Sequence, residues 1–238
     1  MYHPWVIQVQ SAFLPAANPI IAQGMSAYMK NHFPFLGISA PQRGQLLKPL
    51  LQKEMLPQKS DLRLICGQLW SLPEREFAYA GLTLLAKMQN QLTPSDATWL
   101  FDLIVQRSWW DTVDNLAGGV LSALVCRHPQ CLWPQFEPLI EDSNFWLNRT
   151  AIIVQLRCKA NTDTTFLESA ILPHLHSKEF FLRKAIGWSL RQYAKTHPQW
   201  VLEFVDKYKD DLSGLRSEEH TSELQSHHDL VCRLLLEK

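Results

Sequence analysis

The chain has 238 residues, 46% hydrophobic and 19% charged, which is enough apolar side chain for one sizeable core or a stack of small units. Its 23 Lys and Arg balance 23 Asp and Glu, which excludes a protein basic enough to grip nucleic acid over its whole surface. No run of about 18 apolar residues occurs, which excludes a membrane-spanning helix. The start Met1-Tyr2-His3-Pro4-Trp5 lacks the basic residues and apolar core of a signal peptide, so a cytoplasmic location is expected.

In chain order, the apolar pattern is helical. Leu46, Leu47, Leu50 and Leu51 form one stripe, Leu82, Leu84, Leu85 and Met88 a second, and Ile152, Ile153 and Leu156 a third, spacings that put each set on one helix face. Between them Pro57, Pro73, Pro94, Pro129, Pro138, Pro173 and Pro198 recur as breaks. In His128-Pro129 and His197-Pro198 the residue before proline is pushed out of the α region, so a helix should stop at each. Alternating strand patterns bounded by hairpin turns are missing, and the class expected is all-α. Trp5, Trp70, Trp99, Trp133 and Trp200 read as core or helix-junction residues, and Glu74-Arg75-Glu76 as an exposed charged turn. The five cysteines, Cys66, Cys126, Cys131, Cys158 and Cys232, make no Cys-x-x-Cys pair and read as reduced packing residues.

Within Ser108-Trp109-Trp110-Asp111-Thr112-Val113-Asp114, Trp110 and Asp114 are four residues apart, so a helix puts them on one face, one turn above the other. An indole face beside a carboxylate can hold a cation. The same residues also suit a plain helix start, with Asp111 and Asp114 complementing the helix dipole. Asp111 is expected to serve that purpose. Gly118-Gly119 follows without the Lys-Ser/Thr ending of a phosphate loop, and close helix packing is the expected reason for it. His174-x-His176 has no Cys or Glu set beside it, so no metal is expected there.

Aromatic residues expose a repeat. Phe77, Trp110, Trp146 and Phe181 are spaced by 33, 36 and 35 residues, each ahead of a new apolar helix. A period in the mid-thirties with two helices per unit marks stacked helical hairpins, which line one concave face with equivalent positions. If the units are in phase, Trp110, Asp114, Arg149, Trp188 and Arg191 come together there.

The end of the chain is of another kind. Arg216-Ser217-Glu218-Glu219-His220-Thr221-Ser222-Glu223-Leu224-Gln225-Ser226 matches, codon by codon, a translated sequencing-library adaptor, and Asp229 to Leu236 matches the adaptor's continuation. Residues 216–238 are therefore expected to be a non-native tail, so His220, His227 and His228 are not read as a metal site. The tail holds three of the basic and five of the acidic residues, which leaves 20 and 18, a net of +2, over 1–215.

Tyr28-Met29-Lys30-Asn31-His32-Phe33, Leu69-Trp70-Ser71-Leu72-Pro73-Glu74-Arg75-Glu76-Phe77, the Trp109-Trp110-Asp111 stretch, Trp146-Leu147-Asn148-Arg149, and the run from Lys178 to Lys195 containing Gly187-Trp188-Ser189-Leu190-Arg191 together resemble the AlkD-type DNA alkylation repair glycosylases. The resemblance covers residues 1–215. It implies a right-handed α-α superhelix of HEAT-like repeats, a solenoid. It also implies hydrolysis of the N-glycosidic bond of cationic N7-methylguanine and N3-methyladenine in duplex DNA, by a monomer with no cofactor and no metal. Asp114 becomes the catalytic carboxylate, Trp110 and Trp188 the aromatic faces around the damaged nucleoside, and Arg149 a contact near the lesion backbone. Arg191 and Tyr28 become further DNA-facing positions. In the family a basic final helix follows the point where the tail begins here, so the last repeat is expected to be truncated. The competing class is a helical-repeat module without catalysis that binds DNA or a protein partner. A carboxylate between two aromatic faces speaks against it, since negative charge there would weaken binding to phosphate.

Overall fold

Polar caps and prolines start the first helices. The computed structural model describes residues 1–212, so the adaptor-like segment 216–238 and its histidines lie outside the described residues. The His3 ring accepts a bond from Trp5 N ahead of α1 (Pro4–Phe13), the Asn18 side chain accepts from Ile20 and Ile21 N ahead of α2 (Pro19–Tyr28), and Ser39 accepts from Gln42 N ahead of α3 (Ala40–Leu47). Each satisfies backbone N–H groups that an uncapped helix start leaves orphaned. Helix α3 stops at Leu47, short of the expected stripe, and residues 48–51 form a turn. Leu47 and Leu50 are buried all the same, because a turn that follows the helix keeps the same side pointed inward.

The chain forms two compact units, residues 1–108 and Trp109 onward. The first continues through α4 (Leu62–Ser71), α5 (Arg75–Met88) and α6 (Ala97–Val105). Trp5, Trp70 and Trp99 are all buried here. The Trp70 indole N–H finds the Leu103 carbonyl at 3.1 Å, which lets its apolar body enter the core without an unpaired donor.

Arg75 and Glu76 are a correction: of the expected exposed turn Glu74-Arg75-Glu76, Glu74 is half-buried and the other two are fully buried. The two residues instead open α5. Glu76 accepts from the backbone N–H groups of Leu36, Gly37 and Ile38 at 2.9–3.1 Å, which holds the loop that enters α3. Arg75 lies 3.8 Å over the Phe33 ring and donates to the Arg107 carbonyl. Such partners let the charges leave water. At Gly37 (φ 85°) a Cβ would stand 2.1 Å from the Asn18 carbonyl oxygen, so no other residue fits.

The second unit holds α7 (Trp110–Asn115), a π-helical turn (Leu116–Leu121), α8 (Ser122–Arg127), α9 (Pro129–Phe136), α10 (Phe145–Ile153), α11 (Thr164–Ile171), α12 (Phe180–Ala194) and α13 (Pro198–Lys207). Among the described residues no strand occurs, and the class is all-α as expected. His128 and His197 both leave the α region, and Pro129 and Pro198 open α9 and α13 at their first positions. Trp133 and Trp200 are half-buried at junctions, stacked on Phe166 at 4.2 Å and on Phe204 at 5.3 Å.

Helices α5, α7, α10 and α12 begin at 75, 110, 145 and 180, a repeat of 35 residues. Long-range side-chain bonds follow the same interval. Ser122 Oγ accepts from Arg157 N 35 residues on, Ser189 Oγ donates to the Ile152 carbonyl across 37, and Lys207 and Tyr208 donate to Glu168 across 39 and 40. The Lys207 ammonium and the Tyr208 hydroxyl hold the Glu168 carboxyl below its usual range. Each unit of a helical repeat binds the next one in this way.

The cysteines need a second correction. Cys126 and Cys158 are joined in a disulfide, their Cα atoms 5.2 Å apart, rather than both reduced. They are 32 residues apart, close to the repeat, so the stacking that aligns α8 with the chain after α10 also aligns these two positions. Cys66 is a buried thiol, and burial alone pushes it far above its ordinary range, where it is inert.

Candidate functional site

Three helix starts carry the site. Trp109 is the extended residue ahead of α7, Phe145 opens α10, and Phe180 opens α12. Their aromatic residues meet: Trp109 lies 5.9 Å from Trp146 and edge-on to Phe181 at 5.3 Å, and Trp146 lies 4.8 Å from Phe181. This cluster sets the relative height of the three helices, since large flat rings leave few ways to interlock. Trp109 thus supports the start of the helix that carries Trp110.

One turn into two of those helices stand Asp114 and Arg149, each four residues beyond the helix start. Arg149 Nε donates to Asp114 Oδ1 and Nη2 to Oδ2, both at 2.8 Å. Arg149 Nη1 donates to the Phe181 carbonyl. A planar guanidinium matches a carboxylate in this fork-to-fork arrangement and fixes its plane as well as its distance. Exposure separates the two partners: the Arg149 side chain is 5% exposed and that of Asp114 19%. The arginine is the buried anchor, and the aspartate side chain is the more exposed partner.

The resemblance makes Arg149 a contact near the lesion backbone; here each of its three nitrogens has a partner within the protein. Two of those bonds fix the plane of the Asp114 carboxylate. A buried ion pair seldom adds much net stability, so orientation is the better account of this one.

Trp110 is half-buried at the first position of α7. Trp188 is half-buried on α12, with its Cη2 edge toward Gly118 in the π-helical turn. Arg191, also half-buried, lies three residues further along α12 and so shares a face with Trp188. Tyr28 ends α2 in the first unit and is 72% exposed. The structure therefore joins Asp114 to Arg149 directly and sets Trp188 against the helical run that carries Asp114. Asp111 is buried in the first turn of α7.

Sequence reasoning missed the Phe181 carbonyl, the nearness of Trp188 to Gly118, and the disulfide. A backbone carbonyl leaves no mark in a sequence. The 35-residue interval, applied to every polar residue and cysteine, would have paired Asp114 with Arg149 and brought Cys126 near Cys158.

A family model described as DNA alkylation repair enzyme matches residues 9–224. The chain belongs to the DNA alkylation repair enzyme family. It is also similar to a solved structure titled "Predicted DNA alkylation repair enzyme from Enterococcus faecalis", with 34% identity over 85% of this chain and 97% of that one, and a TM-score of 0.75. No curated protein matches it. Membership makes this chain a DNA repair protein with an all-α helical-repeat fold. Among the described residues of this repair enzyme, no helix is long and apolar enough to cross a membrane, and no three His, Cys, Asp or Glu side chains group as a metal site. The His174 ring bonds the Ile140 carbonyl at 2.7 Å, and His176 lies 3.3 Å from Asp211.

Proposed function

We propose that this repair enzyme is a monofunctional glycosylase that removes N7-methylguanine and N3-methyladenine from duplex DNA, acting as a cytoplasmic monomer without a cofactor, through its residues 1–215. The observation that carries the reading is the Asp114 carboxylate, both oxygens clamped by Arg149 while its side chain stays part-exposed.

A purine alkylated at N7 or N3 is a cation. When its C1′–N9 bond breaks, the bonding pair moves into the base and neutralises it, so no strong general acid is needed at the leaving group. Positive charge then grows on the sugar, and a fixed carboxylate nearby stabilises it without having to reorganise. Water adds at C1′ and gives its proton to Asp114 and then to solvent, leaving an abasic site and the free neutral base. Trp110 and Trp188 face the cationic nucleoside, each contact contributing about 0.5–2 kcal/mol according to desolvation. Arg191 and Tyr28 meet the backbone, which positions the duplex without reading its sequence. Arg149 serves the step by holding the carboxylate where charge develops.

Incubation with methylated duplex DNA tests this. Wild type is expected to release N7-methylguanine, and Asp114→Asn to lose release while binding DNA as well or better. Equal release by the two proteins would remove Asp114 from the mechanism. Release by neither would favour a module that binds DNA without catalysis.

A further inference from the structure

The acidic residues of this chain are unevenly placed. Residues 1–53 hold none of the 23 Asp and Glu, while Lys30, Arg43, Lys48 and Lys53 lie among them. The bond from Arg75 N to the Pro34 carbonyl brings Glu74 and Glu76 beside this segment, yet both are engaged elsewhere. Glu76 accepts from the backbone of residues 36–38, and Glu74 lies beside the Arg107 guanidinium. A chain with no net charge thus has one stretch of its first unit whose own charges are all positive.

Within that stretch helix α2 has no buried and no charged residue, and the turn that follows it is strained. Four non-glycine positions among the described residues have positive φ, and two of them, Lys30 (52°) and Asn31 (57°), are adjacent. Side chains resist this left-handed conformation, so where it persists the surroundings impose it. Here Lys30 N and Asn31 N donate to the Ala27 and Ser26 carbonyls, and the Ser26 hydroxyl donates to the Phe33 carbonyl at 2.7 Å. Met29 and Phe33 are buried on either side, Phe33 under the Arg75 guanidinium. The turn is thereby fixed, with Tyr28, Lys30, Asn31 and His32 exposed on it.

We propose that this turn, Tyr28 to His32, grips the phosphate backbone of duplex DNA, with Lys30 as its cation. The C-terminal end of a helix carries partial negative charge, which by itself repels phosphate. Two of the last carbonyls of α2 are taken by the N–H groups of the turn, and the Lys30 ammonium reverses the sign of what remains. The Asn31 amide adds neutral donors beside it, and no acid of the segment opposes them. Because the backbone of the turn is held before DNA arrives, little order is lost on binding. The proposal rests on the placement of Tyr28 at the backbone given above and not on base release, so undamaged duplex tests it.

The measurement is the salt dependence of binding to an undamaged duplex, read by fluorescence anisotropy. Lys30→Gln is expected to lower affinity roughly five- to tenfold at about 100 mM salt and to reduce the slope of log affinity against log salt by about 0.9, the share of one phosphate. Lys30→Arg, which keeps the charge, is expected to keep the slope. A substitution that only loosened the turn would lower affinity at every salt concentration and leave the slope alone. Lys53→Gln removes a charge from the same acid-free stretch outside the turn, and is expected to leave the slope where it is. An unchanged slope in Lys30→Gln overturns the proposal. An equal fall in Lys53→Gln overturns it too, since affinity would then follow net charge and not the turn. If Tyr28→Ala weakens binding while Lys30→Gln does not, the reading of Tyr28 stands and the grip at the turn fails. A free protein that sediments as a dimer, and as a monomer after Lys30→Gln, would give the turn to a second copy of this chain and overturn DNA as its occupant.

Discussion

At the scale of residues, the proposed chemistry turns on one carboxylate and the guanidinium behind it. Asp114 was legible from local sequence, because a tryptophan four residues earlier puts an aromatic face and a negative charge on the same helix side. The partner was not: Arg149 is 35 residues away and donates to both carboxylate oxygens. A lysine is a point charge and cannot make that two-pronged contact. Arg149→Lys is therefore expected to keep the fold and lower base release by roughly ten- to a hundredfold, the value of one charged hydrogen bond of about 1.5–3 kcal/mol. Affinity for undamaged duplex should change much less. If single-turnover release is unaffected while duplex affinity drops, Arg149 is a backbone contact and not the support of Asp114. Arg75 and Glu76 show the limit of reading charge from sequence. Three charged residues in a row look solvated, and here Arg75 and Glu76 enter the core, because backbone donors of residues 36–38 and an aromatic ring are waiting for them.

At the scale of elements, the candidate site depends on how the run from Trp110 to Arg127 is registered against α10 and the chain that follows it. The two are joined at one end by Asp114 and Arg149, in the middle by the Ser122 hydroxyl accepting from Arg157 N, and at the far end by Cys126–Cys158. A cross-link closing a loop of this length stabilises a chain by about 3–4 kcal/mol, through the entropy it removes from the unfolded state. Cys158→Ser is thus expected to lower the melting temperature by roughly 10 °C without reductant. With reductant, wild type should fall to meet it. A wild type indifferent to reductant would show that the two sulfurs are not bonded in solution. The helix stops at His128-Pro129 and His197-Pro198 were readable because proline acts on its immediate neighbour. The π-helical turn was not; its Gly118 leaves room where a Cβ would stand 2.9 Å from Leu156, a residue from elsewhere in the chain.

At the scale of the whole molecule, a formal charge of +0 means that any affinity for DNA is local to one face. Binding to duplex is expected to weaken by roughly tenfold or more between 50 and 200 mM salt, as counterion release at a few phosphates requires. Arg191→Ala should reduce the slope of log affinity against log salt by about 1. An affinity independent of salt would place the contacts somewhere other than phosphate.

The sequence by itself determined what depends on near neighbours and on periodicity: an all-α chain, the helix boundaries at prolines, a mid-thirties repeat, and a tryptophan and an aspartate on one face. Helix stops and face patterns are local, so they survive the loss of all tertiary information. Tertiary structure alone decided which repeat positions touch. It turned Arg149 inward to Asp114, buried Arg75 and Glu76, joined Cys126 to Cys158, and set the Trp188 edge against Gly118. Those contacts follow from how helices a repeat apart stack and which rings interlock between them. A difference of one position in 35 would bring other side chains together, and spacing read from sequence does not resolve so small a difference.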